Sequence, residues 1–282
     1  MCRWLAYAGS PVRLDDLLYK PANSLIMQSL HSRLGAETTN GDGFGVGWYG
    51  NEEGIPGIYH SVTPAWHDAN LRELSAHARS ARVFAHIRAA IGSTVQETNC
   101  HPFRHGRWLW MHNGYLDGFR AVKRDLVLAV DPELFPEIAG STDSEVLFHL
   151  ALTFGLTQDP PTAVARAVGF VEEVAHRHDI EYPVQMTVAV TDGLTTWAFR
   201  YSSQGRSRSL FRSTDVSMLR HQYPDNPVLH ELSDDTRVIV SEPLGDLVGA
   251  WREVPESTCV VTYDGISELR PFAPAAPQVL IG

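Results

Sequence analysis

Apolar and polar positions alternate along several stretches of this chain and recur at helical spacing along others. Residues 2–8 alternate as a strand. "GFGVGWY" at 43–49 and "GIYHSV" at 57–62 read as paired strands around the turn "GNEEGIPG". In "RVFAHIRAA" at 82–90, Val83, Ala85, Ile87 and Ala89 alternate with Phe84, His86 and Arg88, which predicts another strand. "RWLWMHNG" at 107–114 is a strand expected to run into a glycine turn, and "VQMTVAVTDG" with "TTWAFRYS" reads as a hairpin around Asp192-Gly193. "TRVIVSEP" and "STCVVTYDG" close the chain as strands. Helices are expected over "NSLIMQSLHSRL", capped by Asn23 or Ser24, and over 67–80, 115–129, 142–156 and 161–178.

Strands open the chain, helices fill its middle and strands return. That order departs from the β-α-β alternation of a doubly wound sheet and suits an α+β fold of two mixed or antiparallel sheets with helices outside. No Pro-, Gly- or Ser-rich linker divides the chain. A single domain over 1–282 is expected, with a core over about residues 2–265 and a tail at 272–282.

Composition removes several function classes. With 23 Lys plus Arg against 33 Asp plus Glu, the net charge is -10, which repels a phosphate backbone and argues against nucleic-acid binding. No apolar run reaches the ~18 residues of a membrane helix. Arg3, Arg13, Asp15 and Asp16 break any signal-peptide core, so a cytoplasmic protein without a membrane role is expected. Cys2, Cys100 and Cys259 are odd in number and far apart, which argues against a disulfide framework.

Candidate cofactor motifs fail on context. Gly45-Val-Gly47-Trp-Tyr-Gly50 formally matches G-x-G-x-x-G but lies within a strand instead of opening a helix, so it reads as a segment that another backbone approaches closely. There is no P-loop, no C-x-x-C and no H-E-x-x-H, although Cys100-His101 are adjacent. Neither a metal nor another cofactor is expected.

The second residue is either an ordinary small core residue or the seat of the chemistry. If Met1 is removed, Cys2 holds both a thiol and a free α-amine whose reference pKa is about 7.7–8.0, so nucleophile and base share one residue. A retained Met1 would block that amine. A thiolate attacking an amide creates an oxyanion that needs preorganised donors. "HNGY" offers the Asn113 side-chain amide and the Gly114 backbone N–H, although Asn-Gly is also a common turn. Arg88 suits a carboxylate. Asp143, in "GSTDSE", suits an ammonium, or else simply complements a helix capped by Ser141 or Thr142.

In this order and spacing, Met1-Cys2, "NGDGFGVGW", "AHIRAA", "NCHPF", "HNGYL" and "GSTDSE" resemble the class II glutamine amidotransferases, whose glutaminase domain has the N-terminal-nucleophile hydrolase fold. The resemblance spans about residues 2–200, with weaker similarity through "SEPLGD". It implies a four-layer αββα sandwich with Cys2 as nucleophile and Asn113 and Gly114 as oxyanion hole. It also implies that Arg88 binds the α-carboxylate and Asp143 the α-ammonium of a glutamine-like substrate, through a γ-glutamyl thioester.

The chain departs from synthase-linked members. Ile91 stands where those usually carry Thr, and Asn40-Gly41-Asp42 where they often carry R-G-x-D. The stretch beyond residue 200 is short for an independent synthase domain. "MCRWLAYAGS" and "VSEPLGDLVGAWREVP" look most like the stand-alone subgroup of YafJ-type proteins and the γ-glutamyl hydrolase of ergothioneine biosynthesis. The expected activity is hydrolysis of a γ-glutamyl amide or peptide. The alternatives are a glutaminase subunit that passes ammonia to a separate synthase partner, and a non-catalytic binding scaffold on the same fold.

Overall fold

The structure is a computed structural model that describes residues 2–34, 39–50, 54–90 and 93–276. Met1, Ile91, part of the "GNEEGIPG" turn and the end of the tail lie outside the described residues. The strands are β1 (Arg3–Arg13), β2 (Phe44–Trp48), β3 (Gly57–Ser61), β4 (Arg79–Ile87), β5 (Phe103–His105), β6 (Trp108–Leu116), β7 (Val184–Thr191) and β8 (Thr196–Ser202). They continue with β9 (Phe211–Ser213), β10 (Arg237–Val240), β11 (Trp251–Glu253), β12 (Thr258–Tyr263) and β13 (Ile266–Pro271). The α-helices are α1 (Leu14–Leu18), α2 (Leu25–Leu30), α3 (Ala69–His77), α4 (Phe119–Leu128), α5 (Asp143–Thr153), α6 (Pro160–His176), α7 (Val216–Gln222) and α8 (Pro227–Glu231).

Two antiparallel sheets form, with strand orders β11-β9-β10-β1-β4-β2-β3 and β13-β12-β8-β7-β6-β5. Strand alternation sorts their side chains into three apolar layers. Leu5, Tyr7, Val83, Ala85 and Val240 pack outward under α1 and α2, with Leu71 of α3 in the same layer. Trp4, Ala6, Phe84, Leu109, Met111, Ala189 and Val260 fill the space between the sheets. Trp110, Val188, Phe199 and Val261 pack on the other side with α5 and α6. Helix, sheet, sheet and helix are therefore stacked as an αββα sandwich.

Most expected elements are present, with shifted ends. α2 is shorter than the stretch expected to be helical, and Ser24 caps it by accepting a hydrogen bond from the Met27 N–H at 3.2 Å. The predicted hairpin is β7 paired with β8. The glycine-rich segment forms β2 and opens no helix. A Cβ on Gly45 would stand 2.2 Å from the His101 carbonyl oxygen, which is the close backbone approach expected there.

Two readings need correction. β6 continues through Leu116, so Asn113-Gly114 is not a turn. Gly114 is needed because a Cβ would lie 1.9 Å from the Gln185 carbonyl oxygen of β7. Ile266–Pro271, left outside the expected core, is an edge strand paired with β12. Just beyond it Phe272 is buried against Phe199, and the Ala275 N–H donates to the Ala165 carbonyl of α6. Among the described residues, no helix is long and apolar enough to cross a membrane.

Candidate active site

β1 and β4 pair with Arg3 opposite Ile87. One rung further out, Cys2 therefore comes beside Arg88. The Ala89 N–H points at Cys2 Sγ from 3.4 Å. On its other edge β4 pairs with β2, with Phe44 opposite Ile87. The glycine loop before β2 then brackets Arg88: the Arg88 N–H donates to the Gly43 carbonyl at 2.8 Å, and the Asp42 N–H donates to the Arg88 carbonyl at 3.1 Å. Gly43 has φ +100°, and a Cβ there would meet the Ser61 carbonyl oxygen at 2.8 Å, so only glycine fits this bracket. Asp42 extends it by accepting the Ala90 N–H at 2.8 Å.

The second sheet supplies the opposite wall. β6 runs beside β7 with Asn113 opposite Thr187. Two polar ties cross between the sheets next to this point. Trp4 Nε1 donates to Thr187 Oγ1 at 3.2 Å, and His86 Nε2 lies 3.3 Å from the His112 carbonyl oxygen. The N-terminus of α5 closes a third side. Thr142 caps that helix by accepting the Glu145 N–H, which leaves Asp143 free of the capping role.

Cys2, Arg88, Asn113, Gly114 and Asp143 all line one cleft at this edge of the sandwich. The structure thus brings together every candidate residue read from the sequence. His101, His112 and Ser144 line the same cleft.

The chemistry of these groups is specific. Asn113 is 3% exposed, and its Nδ2 has no protein acceptor among the described residues. A buried amide donor without a partner costs stability, so an orphan that opens on a cleft is a ready binding group. Arg88 is 3% exposed. Among the described residues its guanidinium donates to neutral oxygens only: the Asp42 carbonyl at 3.3 Å, Ser93 Oγ at 2.7 Å and the Thr94 carbonyl at 3.0 Å. Asp143 accepts the Leu116 N–H at 2.7 Å and the Ser144 N–H at 2.8 Å. Among the described residues neither Arg88 nor Asp143 has an opposite charge within ion-pair distance. One buried cation and one half-buried anion thus face the cleft unneutralised. Burial pushes the Cys2 thiol up, against the pull of the Ala89 N–H and the charges of Arg88 and Arg3. A neutral thiol of this kind needs a base at the moment of attack.

A buried ionic network holds the Cys2 backbone from behind. Arg3 Nε pairs with Glu242 Oε2 at 3.1 Å, Arg3 Nη1 donates to the Cys2 carbonyl at 2.9 Å, and Arg3 Nη2 bonds Ser32 Oγ. Glu242 also accepts from Asn23 Nδ2, Ser32 Oγ and the N–H groups of Arg33 and Leu34, at 3.0–3.1 Å. Ser241 Oγ accepts the Trp4 N–H at 2.8 Å. The segment "SEPLGD" therefore grips the backbone on both sides of Arg3, a role that its sequence pattern did not reveal.

His101 and His112 of the cleft belong to a cluster of buried histidines. His86 and His101 stack with ring centroids 4.3 Å apart, and His112 Nδ1 lies 2.8 Å from Ser144 Oγ. Burial lowers all three, His86 to about 3, so these imidazoles are neutral near pH 7. The absence of any metal-ligand spacing in the sequence gave no hint of this clustering.

The family described as glutamine amidotransferases class-II matches residues 19–275. A probable glutamine amidotransferase of Saccharomyces cerevisiae, DUG3, is 35% identical over 92% of this chain and 80% of its own length. The γ-glutamyl-hercynylcysteine sulfoxide hydrolase of Mycolicibacterium smegmatis is 36% identical over 42% of this chain and 52% of its own length. A glutamine aminotransferase class-II domain protein from Silicibacter pomeroyi superposes with a TM-score of 0.72 at 32% identity, over 97% of this chain and 100% of the other. The glutamine phosphoribosylpyrophosphate amidotransferase of B. subtilis shares the fold, with a TM-score of 0.64 at 14% identity over 98% of this chain and 50% of that one.

Proposed function

The chain belongs to the class II glutamine amidotransferases and is an amidohydrolase, and from that premise we propose that it hydrolyses γ-glutamyl amides or peptides as a stand-alone enzyme. The observation that carries this reading is the match between a glutamyl head group and the two unneutralised charges and one orphan amide of the cleft. An α-carboxylate fits the unpaired Arg88, an α-ammonium fits Asp143, and a developing oxyanion fits the orphan Asn113 amide.

In this reading, removal of Met1 frees the Cys2 amine, which takes the thiol proton as Sγ attacks the γ-carbonyl. The tetrahedral oxyanion is held by Asn113 Nδ2 and the Gly114 N–H. Collapse breaks the C–N bond, the leaving nitrogen takes the proton from the amine, and a γ-glutamyl thioester remains on Cys2. A water molecule, deprotonated by the same amine, attacks the thioester. The thiolate leaves and is reprotonated, and glutamate is released. No step calls on a cofactor. The small-molecule substrate and the free thiols of Cys2, Cys100 and Cys259 suit a cytoplasmic setting.

The test is turnover of γ-glutamyl dipeptides and of glutamine by the wild-type protein and by Cys2→Ala. The reading expects dipeptide hydrolysis that Cys2→Ala abolishes while the protein stays folded. Hydrolysis of glutamine alone, dependent on a co-purified synthase, would overturn it in favour of an ammonia-supplying subunit. Biological activity retained by Cys2→Ala would point to a scaffold.

A further inference from the structure

One cation of the cleft has no task in the chemistry above. Arg208, on the loop between β8 and β9, lines the same cleft as Cys2, Arg88 and Asp143. Among the described residues, no carboxylate lies within 4 Å of its guanidinium and no hydrogen-bond acceptor is paired with it. The loop that presents it is pinned on both sides. Ser207 donates to Glu256 Oε2 through its N–H at 3.1 Å and its hydroxyl at 2.7 Å, and Ser209 Oγ donates to the Ser241 carbonyl at 2.8 Å. Glu256 also faces Arg200 at 3.5 Å, so the nearby acid is committed elsewhere. Arg208 sits close enough to Arg3 to disfavour protonation there, after the larger effects of burial and of Glu242, which puts its charge at the Cys2 end of the cleft.

A glutamyl head carries one anion and one cation, and Arg88 and Asp143 answer both. Ammonia leaving from glutamine needs no cation. The geometry points to Arg208 as the binding group for a carboxylate on the leaving side of the substrate, so that this enzyme prefers γ-glutamyl peptides with a free C-terminal carboxylate over glutamine and over peptide amides. This inference rests on the γ-glutamyl hydrolase reading. Arg208 determines specificity and takes no part in bond making. A half-buried guanidinium on a pinned loop, paired with a carboxylate, is expected to give about tenfold in affinity.

The test measures binding calorimetrically, with Cys2→Ala protein to prevent turnover. The probes are γ-glutamyl-alanine, its C-terminal amide and glutamine, each against Cys2→Ala and Cys2→Ala/Arg208→Gln. The inference expects the acid to bind about tenfold tighter than the amide. Arg208→Gln should bring that ratio near one and leave glutamine binding unchanged. Equal binding of acid and amide with Arg208 present, or a preference that survives Arg208→Gln, would overturn it. Turnover of the same peptides by wild-type protein separates the two readings. A binding preference without hydrolysis upholds Arg208 and overturns the hydrolase reading, and no binding of either peptide overturns both.

Discussion

Asn113 makes a sharp demand on experiment because its two consequences separate. Its Nδ2 bonds no described protein group, so Asn113→Ala removes no internal hydrogen bond of that donor. The variant should keep its denaturant midpoint while turnover drops about 10²–10³-fold, the usual effect of losing one oxyanion donor. A large loss of stability with little loss of turnover would make Asn113 structural. Arg88→Lys should raise KM for the γ-glutamyl substrate more than it lowers kcat, since an ammonium cannot form the two-pronged pair with a carboxylate. Unchanged KM would take Arg88 out of the substrate pocket. The five candidate residues were legible because the motifs that hold them follow the order and spacing of the family they resemble, even though Asn113 and Gly114 lie inside β6 and not at its end. Arg208 was not, because "SQGRSRSL" reads only as a Ser- and Gly-marked loop without periodicity. Nothing local distinguishes an arginine that faces a cleft from one that faces water.

The strands β1, β4, β6 and β7 were legible because both of their faces are largely buried, which leaves long apolar-rich runs in the sequence. Short strands toward the sheet margins escaped. β9 and β11 have three residues each, too few for a period, and β13 lies at a margin with a mostly exposed pattern. The pairing of β10 against β1 was also invisible, since it joins opposite ends of the chain, with Leu5 opposite Val240. That pairing carries Glu242 to Arg3. Glu242→Ala should cost about 3–5 kcal/mol in urea unfolding, because it strands a buried guanidinium and several N–H donors. It should also lower kcat by loosening the Cys2 backbone. A cost below about 1 kcal/mol would show that the pair behaves like a surface contact.

The sandwich encloses several neutral imidazoles near the meeting point of its two sheets, and that ties its stability to pH. His86 is fully buried, held at about 3 by desolvation, and His60 at about 4 for the same reason. Both titrate near 6.5 when the chain unfolds. Below that value the unfolded chain binds more protons than the folded one, so stability rises with pH. The contribution is complete above about pH 7. It declines as pH falls through 6 and 5 toward the folded values. Urea midpoints measured at pH 7.5, 6.5 and 5.5 should therefore decrease in that order, and a flat series would mean that these histidines are protonated in the fold. The α+β class and the helix-sheet-sheet-helix layering were foreseeable from the order of elements and the family resemblance. The histidine cluster was not, because it forms only when β3, β4, β6 and the "NCHPF" segment converge.

Everything proposed for the cleft depends on Cys2 becoming the first residue and the nucleophile. The decisive measurement is the intact mass of purified protein after incubation with 6-diazo-5-oxo-norleucine, a reactive glutamine analogue, followed by peptide mapping. The account predicts loss of the Met1 mass and one adduct, located on Cys2. Protein that has lost Met1 and stays unlabelled at Cys2 would contradict it.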